Sequence, residues 1–480
     1  MIHSSQKEVF YYKLWFGATM VLGLIMIVLV PPFHSPDEFN HFYKAYHIAD
    51  GHYISDFDST KSELGGYIPR SLITVSKPFS EIAQFQERKM SLDTIFQYLR
   101  YPLMSKDKIF VRFPNTARYA PTAYAPQVLA IFILKKWDVP PLWMTYMGRF
   151  FTFMGWLWLI SLSIRWTPVA YRPILMVITL LPESLAINTT LNADVVTNGF
   201  LFLQIGLFLQ LKTDYKNLNL TQIRQKLLLF SFLVLLSTWH KVVYFPMLFL
   251  LLLLDKSIFD NNLTKKCIFV GLNLALNLLL IKVWSSHLHQ LIYPFADLTQ
   301  NTYREMRPGY NINPDLQVQY ILHHPIEFLE KFIPATFSSY SHTNQSYIAT
   351  FGWELIRLPE KVVIGFLTFF LAFVALQPIQ WARVERILML LIAHSMTSLF
   401  ILSMYLHWDS VGDEVTDIYT AKYYFAPYAL ILLVLGGSFS SWKSFVDKKK
   451  YMEIVFNISF VVIWVWFLFL VYERYYKFNF

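Results

Sequence analysis

Asp37, His41 and Lys44 follow one another at i, i+4 and i+7, a spacing that puts acid, imidazole and amine on one helix face. Such a face can take a proton from a substrate and neutralise its charge. The residues around them open a helix. Ser35 is of N-cap type, Pro36 suits the first helical position, and Glu38 stands three residues after Ser35 as in a capping box. Asp37 then falls in the first turn, where the helix N-terminus favours the ionised carboxylate that a general base requires. Glu38 is divided between completing the cap and serving as a second acid. A solvated polar face would carry His41 and Lys44 equally well.

Other charged residues stand where apolar runs break. Asp194 precedes a long apolar stretch and either caps it or takes part in chemistry. Lys241 follows His240 between two apolar runs, at a hairpin turn where a lysine either snorkels or holds an anion such as phosphate. Arg118, with Tyr119 and Tyr124 nearby, offers a similar cation and aromatic pair, although interfacial tyrosines are common in membrane proteins. Trp353 and Glu354 are candidates for an acceptor wall. His287, His289, His323 and His324 have no carboxylate at ligand spacing and read as surface residues, so no metal site is expected from them. His394, inside an apolar run, reads as a helix-helix contact.

The elements that position these groups must cross a membrane. The chain has 480 residues, 55% hydrophobic, 18% aromatic and only 15% charged, too apolar to hide its surface without lipid. Leu14 to Val30, Lys226 to Leu254, Cys267 to Trp284, Ile387 to Leu406 and Ile454 to Leu470 can each cross about 30 Å of hydrocarbon. The first is full length and runs into Pro31-Pro32-Phe33, unlike a cleaved signal peptide. The net charge of +9 comes from short basic clusters between apolar runs, which argues topology rather than nucleic acid. A single cysteine, Cys267, excludes an intrachain disulfide and cysteine-built metal sites.

One alternation places the clusters Lys7 to Lys13, Arg165 to Arg172, Lys212 to Lys226, Lys256 to Lys266, Arg383 to Arg386 and Lys443 to Lys450 inside. It requires Pro121 to Trp137 to lie on the outer surface as an amphipathic helix rather than cross. The expectation is one all-α transmembrane bundle over 1–480 with about eleven spans, a cytoplasmic N-terminus and an outward C-terminus. A first outer loop at 32–143 carries juxtamembrane helices, and a second large outer segment covers 285–360. Uneven outer loops point to chemistry on the outer face.

Several segments taken together resemble a known family. They are Pro36-Asp37-Glu38 followed by His41, then Arg112-Phe113-Pro114-Asn115 through Pro126, Leu181-Pro182-Glu183 with Asn192-Ala193-Asp194, Lys241 to Pro246, Phe351-Gly352-Trp353 with Leu358-Pro359, and Ala421-Lys422-Tyr423 through Pro427. This order resembles bacterial polytopic membrane proteins of uncharacterised activity, bearing a Pro-Asp-Glu-x-x-His motif and related to GT-C glycosyltransferases. Phe39 stands where the family usually has Pro, and Ala421-Lys422-Tyr423 where it usually has Gly-Arg-Tyr. Lys422 keeps the charge and loses the bidentate fork. The resemblance implies an inverting GT-C-type transferase in the bacterial cytoplasmic membrane, acting on its outer face. It would take sugar from a polyprenyl-phosphate donor to a cell-envelope glycan or lipid-linked acceptor. Asp37 matches the essential acid of the first outer loop and Asp194 a second acidic position.

The resulting assignment makes Asp37, Asp194, Glu38 and His41 catalytic, with Lys44, Arg118, Tyr124, Lys241, Lys422 and Trp353 binding substrate. No cofactor is required, although a divalent cation bridging Asp37, Asp194 and the phosphate is compatible with two carboxylates. The partners are the lipid-linked sugar, its acceptor and membrane lipid, with no nucleic acid. Two other classes fit a polytopic chain: a lipid-linked saccharide flippase or exporter, and a non-catalytic subunit of wall-polymer assembly. Ionisable residues buried mid-span would favour the exporter, whereas these charges cluster at span ends and in outer loops.

Overall fold

The computed structural model describes residues 2–60, 63–85, 87–292, 311–352, 356–415, 421–438 and 449–476, and these are mostly helical. Seven helices are long and apolar enough to cross a bilayer: Gln6–Leu29, Pro141–Trp166, Ala193–Thr213, Leu220–His240, Leu263–Leu288, Arg383–Trp408 and Lys450–Tyr475. Val169–Leu180 and Pro182–Asn188 meet at 69° and make an eighth crossing if taken together. The bend sits at Leu181, whose φ of −58° and ψ of 140° are the extended values forced on a residue before proline. Shorter apolar helices cover Val242–Leu253 and Phe425–Leu435. The first of these is a 3-10 helix of 12 residues. At a rise of about 2.0 Å per residue such a helix spans roughly 24 Å, more than an α-helix of equal length.

The long helices keep broad apolar surfaces outward, among them Val21, Val28, Trp158, Phe232, Leu272, Val283, Val461 and Val465. A chain facing water would not leave such surface uncovered. Basic clusters assigned to one side meet at one end of the bundle. Arg165 donates to the Tyr12 hydroxyl at 3.0 Å, and Lys212 pairs with Glu385 at 2.5 Å. Lys266 donates to the Leu252 and Leu254 carbonyls.

The opposite end carries the first loop. We label α1 Ile2–Leu29, α2 Glu38–Ala49, β1 Asp56–Asp58, β2 Glu63–Pro69, α3 Arg70–Gln84, α4 Leu92–Tyr98, β3 Lys108–Arg112, α5 Pro114–Ala117, α6 Ala125–Lys135 and α7 Pro141–Trp166. Phe33, Phe42, Tyr46, Ile68, Phe79, Phe113, Tyr124 and Ile131 give this loop its own core. Helix α6 is the segment expected to lie on the surface. It has 11 residues, too few to span, and buries Gln127, Ala130 and Ile131 while Leu129, Phe132 and Ile133 face outward.

Two expectations require correction. The loop is not wholly helical: β1, β2 and β3 form an antiparallel sheet in that order. Nor does Ser35 open a capping box with Glu38. Helix α2 begins at Glu38 itself, with Asp37 as N-cap in a left-handed conformation at φ 63° and no side-chain capping bond.

The segment expected to form the second outer loop packs back on the bundle through Phe328 and Ala335, which meet Ile401 and Tyr405. His394 makes the helix contact expected of it, with Nδ1 3.3 Å from the Tyr340 hydroxyl. The end of the last helix, Lys449–Tyr475, is clasped to the first loop. Arg474 donates to the carbonyls of Ile82, Phe85 and Arg88, Lys89 donates to those of Glu473 and Arg474, and the Met90 amide donates to Tyr475.

Candidate functional site

The site begins at the joint between α1 and α2. Phe33 at φ 64° and Asp37 at φ 63° both occupy the left-handed region, a strained placement that persists where surrounding contacts over-determine it. Arg149 of α7 supplies those contacts. Its guanidinium donates to the carbonyls of Ile27, Val30 and Pro31 at the end of α1. It also grips both carboxylate oxygens of Glu38, at 2.7 and 2.6 Å. The Leu191 amide donates to Glu38 at 3.0 Å, which extends the joint to the segment before Asp194. Arg149 and Glu38 are wholly buried, so each charge depends on the other. Glu38 therefore sets the joint, and Asp37 is the carboxylate left beside it without a cap to make. Sequence reasoning passed over Arg149, although an arginine within an apolar span is itself a signal.

A second charged group converges from other segments. Lys241, immediately after Leu220–His240, lies 2.5 Å from Asp194 at the start of Ala193–Thr213. At that separation the two make a buried, charge-assisted ion pair. Lys241 Nζ lies 4.0 Å from the Tyr423 ring centre and 5.3 Å from that of Tyr119, within cation–π range. Lys422 Nζ is 5.0 Å from the same Tyr423 ring. The Tyr244 hydroxyl donates to the Tyr423 carbonyl at 3.1 Å, fixing this turn. His240 ties three elements through Thr197 at 2.9 Å and Thr122 at 3.0 Å.

Asp37 and His41 face the same chamber. Burial, then the charges of Tyr423, Asp194 and Asp37, raise the Tyr119 phenol well above its ordinary value. Burial, then the Lys422 and Lys241 charges, push the His41 imidazole well below its ordinary range. His41 is thus neutral near pH 7, with Nδ1 2.9 Å from the Tyr124 hydroxyl and its ring stacked on Tyr119. The structure brings Asp37, His41, Tyr124, Asp194, Lys241 and Lys422 together, with Tyr119, named in the sequence only beside Arg118, and with Tyr423 and Tyr244 as walls that sequence reasoning did not assign.

Other expected residues lie elsewhere. Lys44 turns to Ser55 Oγ at 2.7 Å, beside Asp56 and His47. Because Asp37 is outside the helix, the helical face expected to carry it with Lys44 does not form. Arg118, by contrast, is the residue that ends α5 immediately before Tyr119, and its charge acts on His407. Trp353 lies outside the described residues.

The chamber sets two ammonium groups and two carboxylates among phenol rings. Buried ammoniums suit a phosphate, and a carboxylate free of structural bonds suits proton abstraction.

Fold and site together define a multi-pass helical membrane protein with a largely buried cluster of charged and phenolic side chains at one end of its bundle. The sequence pattern of the family described as "Predicted membrane protein (DUF2142)" matches residues 20–432, and the chain belongs to that family. Neither a curated protein nor a solved structure matches it.

Proposed function

We propose that this chain is an inverting membrane glycosyltransferase of GT-C type, moving sugar from a polyprenyl-phosphate donor to a cell-envelope glycan or lipid-linked acceptor. Its N-terminus is cytoplasmic, about eleven segments cross the bacterial cytoplasmic membrane, and the chamber faces outward. The observation that carries the reading is the convergence described above. Asp37, Asp194, Lys241 and Lys422 come from four separate stretches of chain, at or beside helix ends, and meet among aromatic rings.

In this reaction Asp37 takes the proton of the acceptor hydroxyl, whose oxygen attacks the anomeric carbon from the face opposite the phosphate. The bond between that carbon and the phosphate oxygen breaks, and polyprenyl phosphate departs as an anion. Such a leaving group needs cations more than a proton. Lys241 and Lys422 supply them, with Asp194 orienting Lys241. A neutral His41 matches a mechanism that asks for no general acid. An apolar groove at this end, lined by Ile27, Leu29, Ile95, Trp143, Phe150 and Tyr476, offers a seat for the carrier's hydrocarbon.

Asp37→Asn tests the reading. Asn is among the few residues that tolerate the left-handed region, so the joint survives while basicity is lost. Transfer of labelled sugar in proteoliposomes is expected to fall at least about 100-fold, with melting unchanged. Near-normal transfer would remove Asp37 from the mechanism. Movement of intact lipid-linked sugar across the bilayer, with no new glycosidic bond, would make the protein an exporter instead.

A further inference from the structure

Away from the chamber, the far end of α2 assembles a second constellation. Helix α2 ends in a Schellman motif, with Gly51 at φ 98°, the Gly51 amide on the Ile48 carbonyl at 3.0 Å and the His52 amide on the His47 carbonyl at 3.1 Å. This motif folds the residue after the glycine back over the helix's last turn. The position usually carries an apolar contact. Here it stacks two imidazoles, His47 and His52, with ring centres 4.8 Å apart and planes 21° from parallel. Strand β1 then brings Asp56, paired in register with Gly65, to 3.2 Å from His47 Nε2. Gly66 leaves room for the ring, since a Cβ there would come within 2.4 Å of it.

We infer that His47, His52 and Asp56 form a binding site for a divalent transition-metal ion of the zinc class, separate from the proposed transfer site. One ligand atom from each residue lies within 4.8 Å of the others. Two ligands of a tetrahedral ion with bonds of about 2.0–2.1 Å are roughly 3.3 Å apart, which the His47–Asp56 separation matches. Two imidazoles and one carboxylate are a zinc-type donor set with one open position. The His47 side chain is fully buried where it meets Asp56. Its Nδ1 is buried without a hydrogen-bond partner among the described residues. The one side-chain bond of the ring is the Nε2 contact with Asp56, which a bound ion would replace by coordination, with the ring proton then on Nδ1. The nearby cation, Lys44, is held back by Ser55. A bound ion would join helix, turn and sheet in the first loop.

The His47–Asp56 contact would also serve as an ordinary hydrogen bond, and His52 separates the two readings. It is exposed and not needed for that bond, but is required as a third ligand. The untagged full-length protein, stripped with chelator, is titrated with zinc chloride by calorimetry, and its melting is followed with and without the metal. One equivalent should bind and raise the melting temperature. His52→Ala should melt like the parent without zinc, bind at least about tenfold more weakly and lose the melting shift. Asp56→Asn should also weaken binding. Absence of stoichiometric zinc binding, or equal affinity in His52→Ala, would overturn the site. Binding of magnesium in preference to zinc would overturn its class.

Discussion

Lys44 shows what burial does to a single charge in this loop. Its side chain is buried, and burial lowers its pKa to about 8, with Asp56 acting in the opposite direction. An unfolded lysine titrates near 10.4. Between these values the unfolded chain binds more protons than the folded one, so stability rises with pH through this window, and below about 8 the folded state bears the full cost of the buried ammonium. Lys44→Met, measured with chelator present, should flatten the rise in melting temperature between about pH 8 and 10. The difference at pH 7 should be on the order of 3 kcal/mol in favour of the variant, less whatever the Ser55 bond contributes. A parallel rise in both proteins would show that Lys44 is not the group responsible. The residue was legible as a cation, and its partner was not. The helical spacing that joined it to Asp37 fails because Asp37 stands outside α2 in a left-handed turn.

At the level of elements, the joint between α1 and α2 depends on one buried ion pair. Glu38→Gln leaves the Arg149 guanidinium buried without a counter-charge, and breaking such a pair costs about 3–5 kcal/mol. Thermal melting should fall accordingly, whereas a double variant, Glu38→Gln with Arg149→Met, should recover much of the loss. Parent-like melting of Glu38→Gln would leave the clamp without a role. The same joint marks where sequence reading stopped. Ser35, Pro36 and Glu38 satisfied a local capping rule, and a partner 111 positions away took Glu38 instead. Long apolar spans, the shortness of α6 and most residues of the charged cluster were legible because hydrophobic length and misplaced charge are local signals. Their convergence was not, since Asp194, Lys241 and Lys422 lie in turns whose spatial relation depends on helix packing. The sheet was equally hidden: β1 has 3 residues and β2 carries Gly65-Gly66, with no alternation to read.

For the whole molecule, the proposed orientation is open to a direct labelling test. With the exposed Cys267 replaced by serine, Thr60→Cys should react with an impermeant thiol reagent added to intact cells, and Thr213→Cys should not. Reversed labelling would turn the chamber toward the cytoplasm and end the outer-face mechanism. The clasp between Arg474 and the first loop adds an order of events. Its partners are separated by up to 392 positions, and contacts of such long sequence separation form late because a long loop must close first. During synthesis the segment bearing Asp37 leaves the ribosome early, then waits for the last crossing before its carbonyls at Ile82, Phe85 and Arg88 find their guanidinium. Assembly of this end is therefore gated by complete insertion, so an arrested or prematurely released chain would hold Asp37 on an unfastened loop.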